Sequence, residues 1–185
     1  MSEEQISVCV YCGSRDGAKP IYRAQALSMG KLIADNGMRL VYGAGDIGLM
    51  GAVAQSAQAH GAETFGVIPV HLLKQEAGKR DLSTFIVTEN MHERKKVMFM
   101  NSDVIVVMPG GAGSLDEFFE ILTWRQLGLH DKPIYLLNVE NYWGPLIDLM
   151  DHVVAQGFAD ASILNFIQTV DDVDAIATSM AKTHR

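Results

Sequence analysis

The sequence is short of positive charge. It has 15 Lys and Arg against 22 Asp and Glu, a net charge of −7. That argues against nucleic acid as a partner, because nucleic-acid binding needs a basic surface. No apolar run approaches the ~20 residues needed to span a bilayer, so no membrane partner is expected. The opening residues Met1-Ser-Glu-Glu-Gln5 lack the basic and apolar regions of a secretory signal, and the expected compartment is cytoplasmic. Only two cysteines are present. Cys9 and Cys12 have a Cys-x-x-Cys spacing, but a redox pair of this kind sits at a helix start. Here the surrounding Ile6-Ser-Val-Cys-Val-Tyr-Cys12 reads as a strand, in which positions three apart point to opposite faces. No second pair exists to complete a zinc site, so both cysteines read as structural. Also missing are a Gly-Lys-Ser/Thr phosphate loop and a Gly-x-Ser-x-Gly elbow, which disfavours ATP hydrolysis and serine-esterase chemistry.

What is present is ordinary globular composition, 48% hydrophobic and 20% charged over 185 residues. That length fits one domain, taken as residues 1–185. Such a domain can bury roughly 70% of its unfolded-chain surface. Apolar β-rich runs at 6–11, 38–42, 64–68, 85–88, 104–108, 133–137 and 167–170 alternate with helical stretches. The helices read as 20–36, 48–60, 90–101, 113–127, 144–156 and 171–183. Pro20 suits a first helical turn and Gly37 a C-terminal cap. Residues 70–84 show no clean period and read as a loop with some helix. Strands alternating with helices predict an α/β fold, a Rossmann-like doubly wound parallel sheet with helices on both faces. Ligands in such sheets bind beyond the carboxyl ends of the strands. Three glycine-bearing loops fall at those ends, at 13–14, 43–48 and 110–113.

The most informative stretch is Pro109-Gly-Gly-Ala-Gly-Ser-Leu-Asp-Glu117, which follows the buried run 103–108. A strand entering a glycine turn and then a helix leaves N–H groups unpaired at the helix start, where the dipole favours an anion. Gly110, Gly111 and Gly113 have no Cβ, so a phosphate can approach the backbone closely. Glu117 lies one turn beyond Gly113 and would repel that phosphate. It makes sense if the ligand carries phosphate at one end and chemistry at the other, as a nucleotide does. Spacing alone leaves a second reading open, that Glu117 is a favourably placed first-turn helix acid.

Gly43-Ala-Gly45-Asp-Ile-Gly48 fits the Gly-x-Gly-x-x-Gly dinucleotide fingerprint. It follows the second strand rather than the first, and the next strand lacks the acid that would hold a ribose 2′-OH. Both facts count against NAD; the glycines could simply let the helix pack on the sheet. His92-Glu-Arg-Lys-Lys96 is the densest positive cluster. Arg94 can make a bidentate contact to phosphate and Lys95 adds a point charge, although a solvated helix face explains the cluster as well.

Together these pieces resemble the Lonely Guy (LOG) family of cytokinin riboside 5′-monophosphate phosphoribohydrolases, often mislabelled as possible lysine decarboxylases. The 109–117 stretch matches the family's Pro-Gly-Gly-x-Gly-Thr-x-x-Glu. Cys12-Gly-Ser14, Tyr42-Gly-Ala-Gly-Asp-Ile-Gly-Leu-Met-Gly51, Gly66-Val-Ile-Pro69, Met91-His-Glu-Arg-Lys95 and 124–133 also match. The resemblance spans about residues 6–158. It implies a catalytic pair at Arg94 and Glu117. It also implies nucleotide contacts from Glu76, Met91, Lys95, Gly110, Gly111, Gly113 and Ser114, with Ser14, Gly43, Gly45 and Gly48 on the neighbouring loops. Ser114 stands where the family has Thr and keeps the hydroxyl; Ala44 replaces the middle glycine of a Gly-Gly-Gly turn. The resemblance further implies a homodimer with the site near the subunit interface.

Cleaving a nucleotide's N-glycosidic bond builds positive charge on the ribose. A carboxylate near C1′, here Glu117, would stabilise that charge and could activate water. Arg94 would clamp the substrate, and its closeness is expected to keep Glu117 ionised. The expected partner is a small nucleoside monophosphate, with no metal and no cofactor. A non-catalytic nucleotide or cofactor carrier on the same fold is the alternative.

Overall fold

The computed structural model describes residues 5–73 and 81–183. Seven strands form one parallel sheet in the order β4-β3-β2-β1-β5-β6-β7. They are β1 (Ser7–Tyr11), β2 (Arg39–Tyr42), β3 (Glu63–Pro69), β4 (Thr84–Thr88), β5 (Val104–Val107), β6 (Ile134–Leu137) and β7 (Ile167–Val170). Every paired strand runs parallel, as in Val8 opposite Leu40 and Val104. The helices are α1 (Pro20–Asp35), α2 (Gly48–Ala59), α3 (Met91–Met100), α4 (Ala112–Gln126), α5 (Gly144–Ala155) and α6 (Val173–Thr183). A doubly wound α/β sheet is therefore what the alternating pattern predicted.

The central strands β1, β5 and β6 are buried along their whole length, because helices cover both faces. Period-two alternation splits their side chains between two cores. Val8, Val10, Leu40, Val104 and Val106 pack under α1, α2 and α6. Cys9, Tyr11, Val41, Ile105 and Val107 pack under α3, α4 and α5. Cys9 and Cys12 fall in opposite cores, both buried and free. Burial pushes both thiols far up, so neither is a reactive thiolate.

Strand β3 and the stretch before β7 differ from the sequence expectation. Strand β3 continues through Pro69, which pairs with Thr88 at the sheet's outer strand; a proline is tolerated at a strand end. A short 3-10 helix, Ala161–Phe166, fills the stretch between α5 and β7, where no element was expected.

The chain builds β1 to β4 outward in one direction, then returns to place β5 on the other side of β1. At that reversal the loops leaving β1 and β5 diverge to opposite faces, and a crevice opens between them. The 109–113 turn and the 12–18 loop border it.

Candidate active site

A cavity of about 610 Å³ occupies this crevice, a size suited to a small ligand. Its walls come mainly from the loops after β1, β2, β3, β5 and β6 and from helices α1 to α4. The loop after β1 gives Gly13, Ser14 and Arg15; the loop after β2 gives Gly43; the loop after β5 gives 109–111. Backbone bonds lock these loops together. Gly13 N donates to Pro109 O at 3.0 Å, and Leu49 N, at the start of α2, donates to Gly13 O at 3.1 Å. The loops also touch so closely that a Cβ on Gly110 would overlap the Ser114 hydroxyl.

Helix α4 starts at the cavity. Gly111 caps it without a side-chain bond, so its first-turn N–H groups have no intrahelical or capping partner. Ser114 and Glu117 follow at helical spacing and both line the cavity. Asp116 and Glu120 lie on the adjacent face and accept from Lys95 Nζ at 2.9 and 3.3 Å.

Helix α3 shows the same division. Asn90 Oδ1 accepts from Glu93 N, and Glu93 Oε2 accepts from Glu89 N, which fixes the helix start. Met91, Arg94 and Met98, spaced three and four apart, then face the cavity. Lys95 lies one position round, bound to the α4 carboxylates and outside the cavity lining. His92 is exposed on the far side.

Arg94 is buried, 5% exposed. Its Nε donates to Val67 O at 3.1 Å and its Nη2 to Gly43 O at 2.7 Å. A Cβ on Gly43 would fall within this guanidinium, so the glycine is required by the arginine. No hydrogen bond or ion pair among the described residues joins Arg94 to Glu117. Glu117 has no hydrogen-bond partner there either, and its carboxyl is pushed up to about 7. Burial is the cause; Arg94 and Lys95 pull the other way and do not win. Arg94 thus favours the ionised form as expected, but the expectation that its closeness keeps Glu117 ionised is corrected. The arginine's donors are turned to backbone carbonyls, and removal from water outweighs its charge.

Of the residues expected at the site, Ser14, Gly43, Met91, Arg94, Gly110, Gly111, Gly113, Ser114 and Glu117 line one cavity. Lys95, Gly45 and Gly48 do not line it. Glu76 lies outside the described residues. Ala44 has a left-handed backbone, with φ 56°. Arg15, Tyr22, Met50, Leu72 and Tyr142 also line the cavity and were not singled out from sequence. Arg15 is exposed and makes no hydrogen bond or ion pair among the described residues. Its signal was its place beside Cys12-Gly-Ser14; Tyr142 sits on a distant loop and gave none.

The chemistry of this wall is divided. One end offers free backbone N–H groups, the Ser114 hydroxyl and the Arg15 cation, a set that suits an anion. The other offers an unpartnered carboxyl that titrates near neutrality. Apolar side chains, chiefly methionines, close the sides.

A family model described as possible lysine decarboxylase matches residues 50–180. The chain is 40% identical over 176 residues to the probable cytokinin riboside 5′-monophosphate phosphoribohydrolase LOG4 of Oryza sativa subsp. japonica, covering 95% of this chain and 76% of that protein. It is 40% identical over 151 residues to cytokinin riboside 5′-monophosphate phosphoribohydrolase LOG3 of Arabidopsis thaliana, covering 82% and 70%. Among solved structures, the molybdenum cofactor binding protein from Rippkaea orientalis superposes with a TM-score of 0.75 at 22% identity, over 100% of both chains. The Moco carrier protein from Chlamydomonas reinhardtii gives 0.72 at 20% identity, over 97% of both. These two likenesses show the fold alone. The match to the plant proteins runs through the 109–117 turn and the Arg94 helix, and by it the chain belongs to the LOG family of cytokinin riboside 5′-monophosphate phosphoribohydrolases.

Proposed function

We propose that this protein hydrolyses the N-glycosidic bond of nucleoside 5′-monophosphates, releasing free base and ribose 5-phosphate. Its substrates are N6-modified adenosine monophosphates such as cytokinin ribotides, and/or AMP. The observation that carries the reading is Glu117, a carboxyl with no bond among the described residues, one turn along the helix whose open N-terminus borders the same cavity. Gly113 and Glu117 are four residues apart, about 6 Å along the axis. That separation lets the phosphate rest on the first turn while the ribose reaches the carboxylate.

The phosphate is held by N–H groups of 111–114, the Ser114 hydroxyl and Arg15. Ionised Glu117 faces the anomeric carbon, stabilises the oxocarbenium-like state and takes a proton from the attacking water. Arg94 ties the loop after β2 to strand β3 through its two carbonyl contacts and contributes positive charge behind the ribose. Met50, Leu72 and Met91 offer apolar surface for the base. A pure carrier has no use for an unpartnered carboxyl beside a phosphate, which favours hydrolysis. Among the described residues no lysine lines the cavity, so they do not favour lysine decarboxylation.

The proposal extends to a cytoplasmic homodimer. No helix among the described residues is long and apolar enough to cross a membrane. Met100, Leu127 and Leu129 are each about two-thirds exposed, at 66%, 67% and 67%, near the ends of α3 and α4. Phe99, next to Met100, is buried edge-on to Trp124 and His130 and is not part of this exposed set.

The test is incubation with a panel of nucleoside monophosphates and the matching nucleosides, with free base measured. Release from monophosphates, much faster than from nucleosides, supports the reading. Tight nucleotide binding with no base release makes the protein a carrier.

A further inference from the structure

We propose that Tyr142 is a positioning residue that sets the orientation of the Gly110–Gly111 peptide and thereby arms the anion cradle. The inference rests on the phosphate-cradle reading above.

The peptide between Gly110 and Gly111 joins two residues without Cβ, so neither side chain opposes its rotation. A trans peptide points its carbonyl and its following N–H in opposite directions. Rotating this one unit therefore exchanges a donor for an acceptor in the turn. An anion needs the donor, and a free carbonyl oxygen would repel it. Tyr142 decides between the two. Its hydroxyl donates to Gly110 O at 2.6 Å, which satisfies the carbonyl and holds it on the tyrosine's side. Gly111 N–H is thereby turned the other way.

The chain holds Tyr142 in place at a cost. Glu140 and Asn141, immediately before it, both have left-handed backbone, with φ 53° and 57°. Asn tolerates that conformation; Glu does so rarely. Several bonds enforce the turn. Asn138 Oδ1 accepts from Trp143 N at 2.7 Å, Asn138 Nδ2 donates to Asn141 Oδ1 at 3.2 Å, and Tyr142 N donates to Val139 O at 3.0 Å. Lys19 pairs with Glu140 at 3.2 Å. The tyrosine ring is then set edge-on between Tyr22, at 5.6 Å, and Trp143, at 4.7 Å. Backbone strain kept by this many contacts is characteristic of a functional constraint. Here its product is one hydroxyl aimed at one carbonyl of the cavity wall.

Tyr142→Phe removes the hydroxyl and keeps the ring contacts. Calorimetry would compare ribose 5-phosphate with adenosine as ligands, on wild type and variant, beside steady-state base release from AMP. The variant should bind ribose 5-phosphate about five- to tenfold more weakly, the worth of one hydrogen bond. KM for AMP should rise by the same factor, with kcat changed less. Adenosine affinity and melting temperature should stay close to wild type. A variant that binds both ligands as wild type does, or that loses both equally with its melting temperature, overturns the proposal. If wild type itself binds ribose 5-phosphate no better than ribose, the cradle reading fails and the role of Tyr142 fails with it.

Discussion

Replacing Glu117 by Gln separates the acid's cost from its use. The folded protein holds this carboxyl at about 7, from an ordinary 4.5, because it is withdrawn from most of its water and bonded by no described residue. Holding it ionised in the fold costs roughly 3 kcal/mol at full strength. Water in the cavity screens part of that, leaving about 2–3 kcal/mol. The sign follows from the proton count. Between pH 4.5 and 7 the folded chain carries a proton that the unfolded chain has already released. Stability from this site therefore falls as pH rises through that window and stays low above it. Gln mimics the protonated acid and never incurs the cost. The variant should match wild type at pH 4.5 and melt roughly 5–10 °C higher at pH 8, for a chain of this length. Turnover should fall about 10²–10³-fold, the usual loss for one preorganised electrostatic group, while nucleotide affinity holds or improves. Scanning calorimetry across pH 4.5–8 and a base-release assay on the same preparations check both halves. Equal melting temperatures at pH 8 would mean that Glu117 is ionised without penalty, an ordinary helix acid. A folded variant with normal turnover would remove Glu117 from the chemistry.

The same titration predicts that kcat/KM for AMP falls below about pH 7 with a single protonation; a flat profile from pH 5.5 to 8 would contradict Glu117 as the ionised group. Gly43→Ala places a methyl where the Arg94 guanidinium sits, so activity should fall as far as in Arg94→Ala, with a stability loss of about 1–3 kcal/mol measured by urea titration. Arg15→Ala should leave the melting temperature unchanged, since Arg15 is exposed and makes no bond among the described residues. It should weaken nucleoside monophosphates about tenfold or more while sparing nucleosides, as expected for one charged hydrogen bond in a direct binding titration.

Most of the fold could be read from period. Strands β1, β5 and β6 fall within a residue of where the pattern puts them, because parallel strands buried on both faces leave uninterrupted apolar runs. The site was less evenly legible. Glycine loops after strands point to a sheet edge, and three such loops do meet at one cavity. Which helix residue faces that cavity is a finer matter of rotation. Arg94 and Lys95 are neighbours in sequence and differ by about 100° around α3. The stripe of Met91, Arg94 and Met98 carried that information, since apolar residues three and four positions away mark the inward face. Weighing Arg94 by charge alone missed a different point. A guanidinium within reach of carbonyl oxygens spends its donors there, and only the fold brings Val67 O and Gly43 O to it. Tyr142 was invisible for the same reason: its bond to Gly110 crosses 32 residues.

The costs in this structure cluster. Among the described residues three non-glycines have left-handed backbone, Ala44, Glu140 and Asn141. Ala44 follows Gly43, whose carbonyl receives Arg94; Glu140 and Asn141 precede Tyr142, which holds Gly110 O. Each left-handed residue of this kind costs on the order of 1–3 kcal/mol. Glu117 adds an ionisation that the fold opposes. All four lie on the cavity wall or within two residues of a group that lines it. A fold selected only for stability would place such costs at random or remove them. Their convergence on one crevice, at the sheet's own reversal point, argues that the loops after β2, β5 and β6 are held for what the cavity does. The strained turns fix donors and carbonyls, and the buried acid supplies the charge that those donors leave unopposed.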